Sequence, residues 1–115
     1  MFDVVVFAGT TEGCEICSFL AKNKVSVLAC VATDYGSKSL KEGEYLKIHA
    51  GRLNGEEMEN LLKELSPGLV LDATHPYAAE VTENIRAACQ NTGFSYQRVL
   101  RETGAYQDKA VYVEN

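Results

Sequence analysis

The residues of this sequence best suited to chemistry stand in turns, just past short apolar runs. Asp72-Ala73-Thr74-His75-Pro76 joins the run Leu69–Asp72 to an amphipathic stretch. A histidine titrates near neutrality, so His75 suits a general acid, a donor to an anionic group, or a helix cap. Asp72 at the strand end suits a hydrogen bond to the neighbouring turn. Gly9-Thr10-Thr11-Glu12-Gly13 follows another apolar run and occupies the place of a G-x-G-x-x-G dinucleotide fingerprint. Ala8 takes the first glycine position, Thr10 the second and Gly13 the third. A Cβ at Thr10 limits backbone approach to a pyrophosphate, but the hydroxyls of Thr10 and Thr11 are phosphate donors. A helix N-terminus there adds N–H groups and a favourable dipole, while Glu12 brings a negative charge that reads as a cap turned aside. Thr33-Asp34-Tyr35-Gly36 closes a third run. Asp34 lies about 20 residues beyond Gly13, the spacing at which an acid meets an NAD ribose hydroxyl. Thr33, Ser37 and Lys38 would instead suit a 2′-phosphate, which Asp34 would oppose. A structural account, of tight turns, caps and solvated loops, stands beside each of these readings.

The elements that hold these turns follow from the pattern. Asp3–Ala8 is a β-branched run with the look of a strand buried on both faces. A helix is predicted from about Glu12 to Asn23, a strand over Val25–Ala32, and a short alternating strand over Tyr45–Ala50. Asn54, with Glu57 three residues on, predicts a boxed helix start. Met58, Leu61, Leu62 and Leu65 give that helix its apolar stripe, and Ser66-Pro67-Gly68 stops it. Pro76 suits the first turn of a further helix, with Ala78, Val81, Ile85, Ala88 and Cys89 as its buried face, ending near Asn91-Thr92-Gly93. Ser95–Leu100 reads as a last strand. Strands alternating with helices predict an α/β fold: a Rossmann-like (flavodoxin-like) open, mostly parallel sheet of about five strands with helices on both faces. Residues 1–100 form that domain. Residues 101–115, in which Ala110–Val113 resembles one more strand, read as a tail or a crossover toward a further domain. In such a sheet ligands gather beyond the carboxyl ends of the strands, where strand order reverses.

Composition narrows the function classes. The chain has 115 residues, 46% hydrophobic and 23% charged, with a net charge of −5. That is enough for one domain with a real core. No basic block suggests a nucleic-acid partner, and no apolar run approaches a membrane span. Asp3 stands where a secretory signal would be basic, so the expected compartment is cytoplasmic. Cys14-Glu15-Ile16-Cys17 has redox or zinc spacing, but His49, His75 and Cys89 are too scattered to complete a second ligand pair. Cys17 falls in register with Gly13, Ile16 and Leu20, so the cysteines are expected to be packing residues and no metal site is expected.

Taken together, Gly9-Thr10-Thr11-Glu12, Gly51-Arg52-Leu53 and Asp72-Ala73-Thr74-His75-Pro76-Tyr77-Ala78 resemble the precorrin-6A reductase family, which includes the cobalt-precorrin-6A reductases. The likeness runs from Met1 to about Arg101 and corresponds to the N-terminal half of the family. It implies an oxidoreductase of the CH-CH class that carries hydride from NADPH to a corrin precursor in cobalamin biosynthesis. The nucleotide would sit in this half and the tetrapyrrole in the cleft between halves. By position, Gly9, Thr10 and Thr11 would meet the cofactor phosphates, with Glu12, Thr33, Asp34 and Thr74 also on the cofactor side. Arg52, His75 and Tyr77 would face the substrate; the fork of donors on Arg52 suits a carboxylate or phosphate, and His75 is the candidate catalytic group. The missing C-terminal domain, or a second copy of the chain, is the expected partner. A non-catalytic NAD(P)-binding sensor domain is the alternative.

Overall fold

The computed structural model describes residues 2–9, 11–31, 41–75 and 79–99. The apolar runs do become strands: β1 (Val4–Ala8) and β2 (Val27–Val31) are buried along their whole length. Helix α1 (Thr11–Lys22) connects them. The second strand begins later than its sequence suggests because Val25 belongs to the helix stop. Lys24 takes a left-handed conformation, φ 66°. Its N–H bonds the carbonyl of Ala21 and the Val25 N–H bonds that of Leu20, a Schellman-type close.

Strand β3 (Leu46–Ala50) is buried only at Leu46 and half-buried or exposed beyond it, as befits an edge strand, and its Ile48 N–H donates to the Glu42 carboxylate at 2.8 Å. Helix α2 (Gly55–Leu65) starts in the predicted capping box: Asn54 Oδ1 accepts from the Glu57 N–H while Glu57 Oε1 accepts from the Asn54 N–H, both at 2.8 Å. Ser66 ends it in the left-handed region. Strand β4 (Leu69–Ala73), helix α3 (Ala79–Thr92) and strand β5 (Tyr96–Arg98) complete the described elements. Gly93, at φ 85°, turns the chain out of α3. Pro76, Tyr77, Ala78 and the proposed strand Ala110–Val113 lie outside the described residues.

The sheet is wholly parallel in the order β3-β2-β1-β4-β5. That is the Rossmann order; a flavodoxin-like sheet would run 2-1-3-4-5, so the broader expectation holds in its Rossmann form. The two faces carry separate cores. Val4, Val6, Ala8, Val27 and Ala29 pack with Cys17, Ile16 and Leu20 of α1 on one side. Val5, Phe7, Leu28 and Val70 pack with Met58, Leu62, Ile85 and Cys89 of α2 and α3 on the other. Helices therefore cover both faces, and strand order reverses between β1 and β4, where Ala8 stands opposite Ala73.

Candidate functional site at the reversal of strand order

A cleft of about 560 Å³ opens at this reversal, beyond the carboxyl ends of β1, β2 and β4. Gly9 and Thr74 meet at its floor: a Cβ built on Gly9 would lie 3.6 Å from Thr74 Cα and 3.8 Å from the His75 nitrogen. Gly9, Arg52, Thr74 and His75 all line the cleft, so the structure brings together residues from three separate sequence motifs. Arg52 is exposed, and among the described residues it has no ion-pair partner. Its place is set by Gly51, whose φ of 125° favours glycine; the Gly51 N–H bonds the Val31 carbonyl at the end of β2. A second concavity, about 520 Å³, lies against Lys22, Lys41 and Tyr45. It sits away from the carboxyl ends of β1 and β4 and gathers none of the motif residues.

Gly13 shows why the first turn has its form. A Cβ there would lie 2.9 Å from Ala8 Cα, 3.0 Å from Ala8 Cβ and 3.1 Å from Ala73 Cβ. The first turn of α1 thus rests directly on the ends of β1 and β4, the role of the third glycine in a dinucleotide-binding turn. Glu12 follows Thr11 in that first turn. Thr10, Thr33, Asp34 and Tyr77, with Ser37 and Lys38, lie outside the described residues, as does the side chain of Thr11.

Beneath the second turn lies a polar network that sequence reasoning did not find. Asp72 is fully buried and Arg98 is 5% exposed. Arg98 Nη1 stands 2.9 Å from Asp72 Oδ1. Asp72 Oδ1 also accepts from the Thr74 hydroxyl at 2.7 Å and the Thr74 N–H at 3.1 Å, and Oδ2 accepts from Tyr96 Oη at 2.8 Å. Thr74 Oγ1 is 3.2 Å from Thr82 Oγ1. Because the Thr74 proton goes to Asp72, Thr82 is the donor of that pair. The Thr74 hydroxyl is therefore engaged below the cleft even as the residue lines it. Among the described residues no buried side-chain polar atom lacks a partner. The clue lay in Arg98 itself: a guanidinium buried within a strand of the sheet needs a buried acid. Local pattern does not show that β5 lies beside β4.

The cysteines are packing groups, as their register suggests. Burial pushes the Cys17 and Cys30 thiols up to about 12 and the Cys89 thiol up to about 11. Burial, then the charge of Glu15, also raises Cys14. Such thiols are poor nucleophiles near neutrality. Among the described residues no three His, Cys, Asp or Glu gather as a metal-binding group, and no helix is long and apolar enough to cross a membrane.

A parallel 3-2-1-4-5 sheet, helices on both faces and a polar cleft at the reversal of strand order define a Rossmann-like α/β domain. Within that class the chain belongs to the precorrin-6x reductase CbiJ/CobK family, whose model matches residues 3–115. It is 35% identical over 99 residues to the cobalt-precorrin-6A reductase of Methanothermobacter thermautotrophicus, covering 85% of this chain and 33% of that protein. The cobalt-precorrin-6A reductase of Salmonella typhimurium is also 35% identical over 99 residues, with 86% of this chain and 37% of that one covered. The solved structure of a CobK precorrin-6A reductase superimposes with a TM-score of 0.76 at 27% identity, covering 93% of this chain and 42% of that chain. The chain thus spans about 33–40% of the length of the curated relatives it matches.

Proposed function

We propose that this chain is the nucleotide-binding part of an NADPH-dependent reductase acting on a carbon–carbon double bond of a corrin precursor, precorrin-6A or its cobalt form. The observation that carries the reading is the cleft at the β1/β4 reversal. Gly9, Arg52 and His75 converge on it from separate motifs. The residues present fit a dinucleotide. Gly13 lets the first turn of α1 lie on the strand ends, and Gly9, without a side chain, leaves the floor of the cleft open to a pyrophosphate. When bound, NADPH would supply hydride.

The chain's own residues would bind and orient. Gly9 and the first turn of α1, with Thr10 and Thr11, would face the phosphates, and Glu12 would turn aside as a cap on the cofactor side. Thr33 and Asp34 follow β2, whose last residue, Val31, lines the same cleft; they would face the ribose. A corrin precursor carries many carboxylates, and the exposed Arg52 guanidinium would hold one of them. His75 would donate a hydrogen bond to another, or supply a proton to the reduced macrocycle from its ring nitrogen, with Tyr77 beside it. Thr74 would contribute its backbone to the cofactor side, since its hydroxyl is given to Asp72. The second wall of the cleft would come from a C-terminal domain of the kind the longer relatives carry, or from another copy of the chain. The setting would be the cytoplasm.

Titration calorimetry of this chain with NADPH and NADH tests the cofactor. Saturable binding of nucleotide, weakened by Thr10→Ala, is expected. No saturation by either nucleotide at millimolar concentration, on the order of a Kd weaker than 1 mM, overturns the reading.

A further inference from the structure

We propose that Arg98 is a positioning residue for the cleft, aiming the Thr74–His75 peptide toward the ligand from below. The inference rests on reading the cleft as a nucleotide site. Arg98 lies on β5 and is almost wholly buried, yet its Nη1 reaches four oxygens of the second turn. They are Asp72 Oδ1 at 2.9 Å, Thr74 Oγ1 at 3.0 Å, the Thr74 carbonyl at 3.1 Å and the Asp72 carbonyl at 3.3 Å. One amino group with two hydrogens shared among four acceptors ties the turn down at a single point.

The Thr74 carbonyl is the decisive contact. It belongs to the peptide that leads into His75, and in a trans peptide the carbonyl and the N–H point in opposite directions. Holding that oxygen toward the buried guanidinium turns the His75 N–H to the opposite edge of the peptide, away from Arg98. The Thr74 N–H is held in turn by Asp72 Oδ1 at 3.1 Å, so the peptides on both sides of Thr74 are fixed. The turn they form rests against Gly9, in the floor of the cleft.

Stability alone does not account for the pair. A buried ion pair is often no better than apolar residues of the same volume, and its best-attested use is to fix one geometry. Here the geometry fixed is that of the cleft wall.

The test compares wild type with Arg98→Met/Asp72→Leu, which replaces both charges, and with Arg98→Lys, which keeps the charge but carries its amino group one bond short of the Nη1 position and serves where the double variant does not fold. Amide hydrogen exchange and NMR shifts of Thr74 and His75 are read without nucleotide. Exchange at Thr74 is expected to quicken by about tenfold or more in Arg98→Lys, which keeps Asp72 as the acceptor of the Thr74 N–H. The His75 amide shift is expected to move in both variants, while Val5 and Phe7 in β1 keep their protection. NADPH is then titrated at a temperature where each variant is as folded as wild type. Its Kd is expected to weaken by about tenfold, which a purely stabilising role would not produce. Folded variants with wild-type shifts and exchange at Thr74 and His75, or with wild-type Kd, overturn the proposal. If the wild-type chain itself fails to bind NADPH, the cofactor reading falls, and the exchange measurement alone decides whether Arg98 sets the turn.

Discussion

The two turns that meet at the floor of the cleft are held by opposite means. The turn after β1 is held by absent side chains: at Gly13 there is no room for a Cβ against Ala8 and Ala73. The turn after β4 is held by side chains that reach it from two other elements, Tyr96 and Arg98 of β5 and Thr82 of α3. The first is a matter of volume and the second of charge and hydrogen bonding. Substitutions that barely touch one are therefore expected to be costly in the other.

The largest expected effect is in the second turn. Asp72→Ala strips the buried guanidinium of Arg98 of its carboxylate, a change that costs about 3–5 kcal/mol when an uncompensated charge stays buried. Urea denaturation of the variant measures it. A loss no greater than that of an ordinary surface substitution would show that the network is incidental. Next comes Gly13→Val, whose side chain would begin 2.9 Å from Ala8 Cα. Overpacking of this kind costs roughly 1–3 kcal/mol, and α1 would lift from the strand ends. The thermal midpoint reports the cost, and weakened nucleotide binding reports the displaced helix.

This contrast also explains what could be read from the sequence. Val4–Val6 and Leu69–Leu71 announce buried parallel strands because β-branched and apolar residues fill both faces. Asn54 and Glu57 announce the start of α2 because a capping box is a local device, complete within four residues. Gly13 is legible for the same reason, since its constraint acts on the strand just before it. Asp72 was legible only in part. Its bond to the Thr74 N–H is local and was anticipated as a turn contact. Its pairing with Arg98 spans 26 residues and depends on β5 lying beside β4. The start of β2 was misplaced because Val25, apolar like Val27 and Leu28 beyond it, packs as part of a helix stop rather than a strand.

Alkaline pH separates the two turns more finely. Burial raises the Tyr96 hydroxyl above the usual tyrosine range, and its bond to Asp72 and the Asp72 charge raise it further. Buried Cys17, beside the first turn, is raised to about 12, and Cys89 to about 11. In each case the folded state keeps a proton that the unfolded chain gives up. Stability from these groups is fully present below the unfolded pKa and falls as pH rises, from about 9 for the thiols and about 10 for tyrosine. Denaturation midpoints followed from about pH 8 to 11 should decline. Cys17→Ala should flatten the earlier part of the decline and Tyr96→Phe the later part. A midpoint independent of pH over that range would contradict the burial of these groups.

The smallest effect on stability falls where the two turns touch. A Cβ on Gly9 would stand 3.6 Å from Thr74 Cα, an ordinary contact, so Gly9→Ala should change stability by no more than about 0.5 kcal/mol. The same methyl would occupy the floor of the cleft beside the Thr74–His75 peptide, where the proposed pyrophosphate would lie against the backbone. NADPH binding should therefore weaken by about tenfold or more with an unchanged thermal midpoint. Gly13→Val lowers both quantities and Gly9→Ala only one, so the pair divides the glycine that builds the turn from the glycine that leaves room above it. A Gly9→Ala chain that binds as wild type would move the phosphate site away from this floor and toward Arg52.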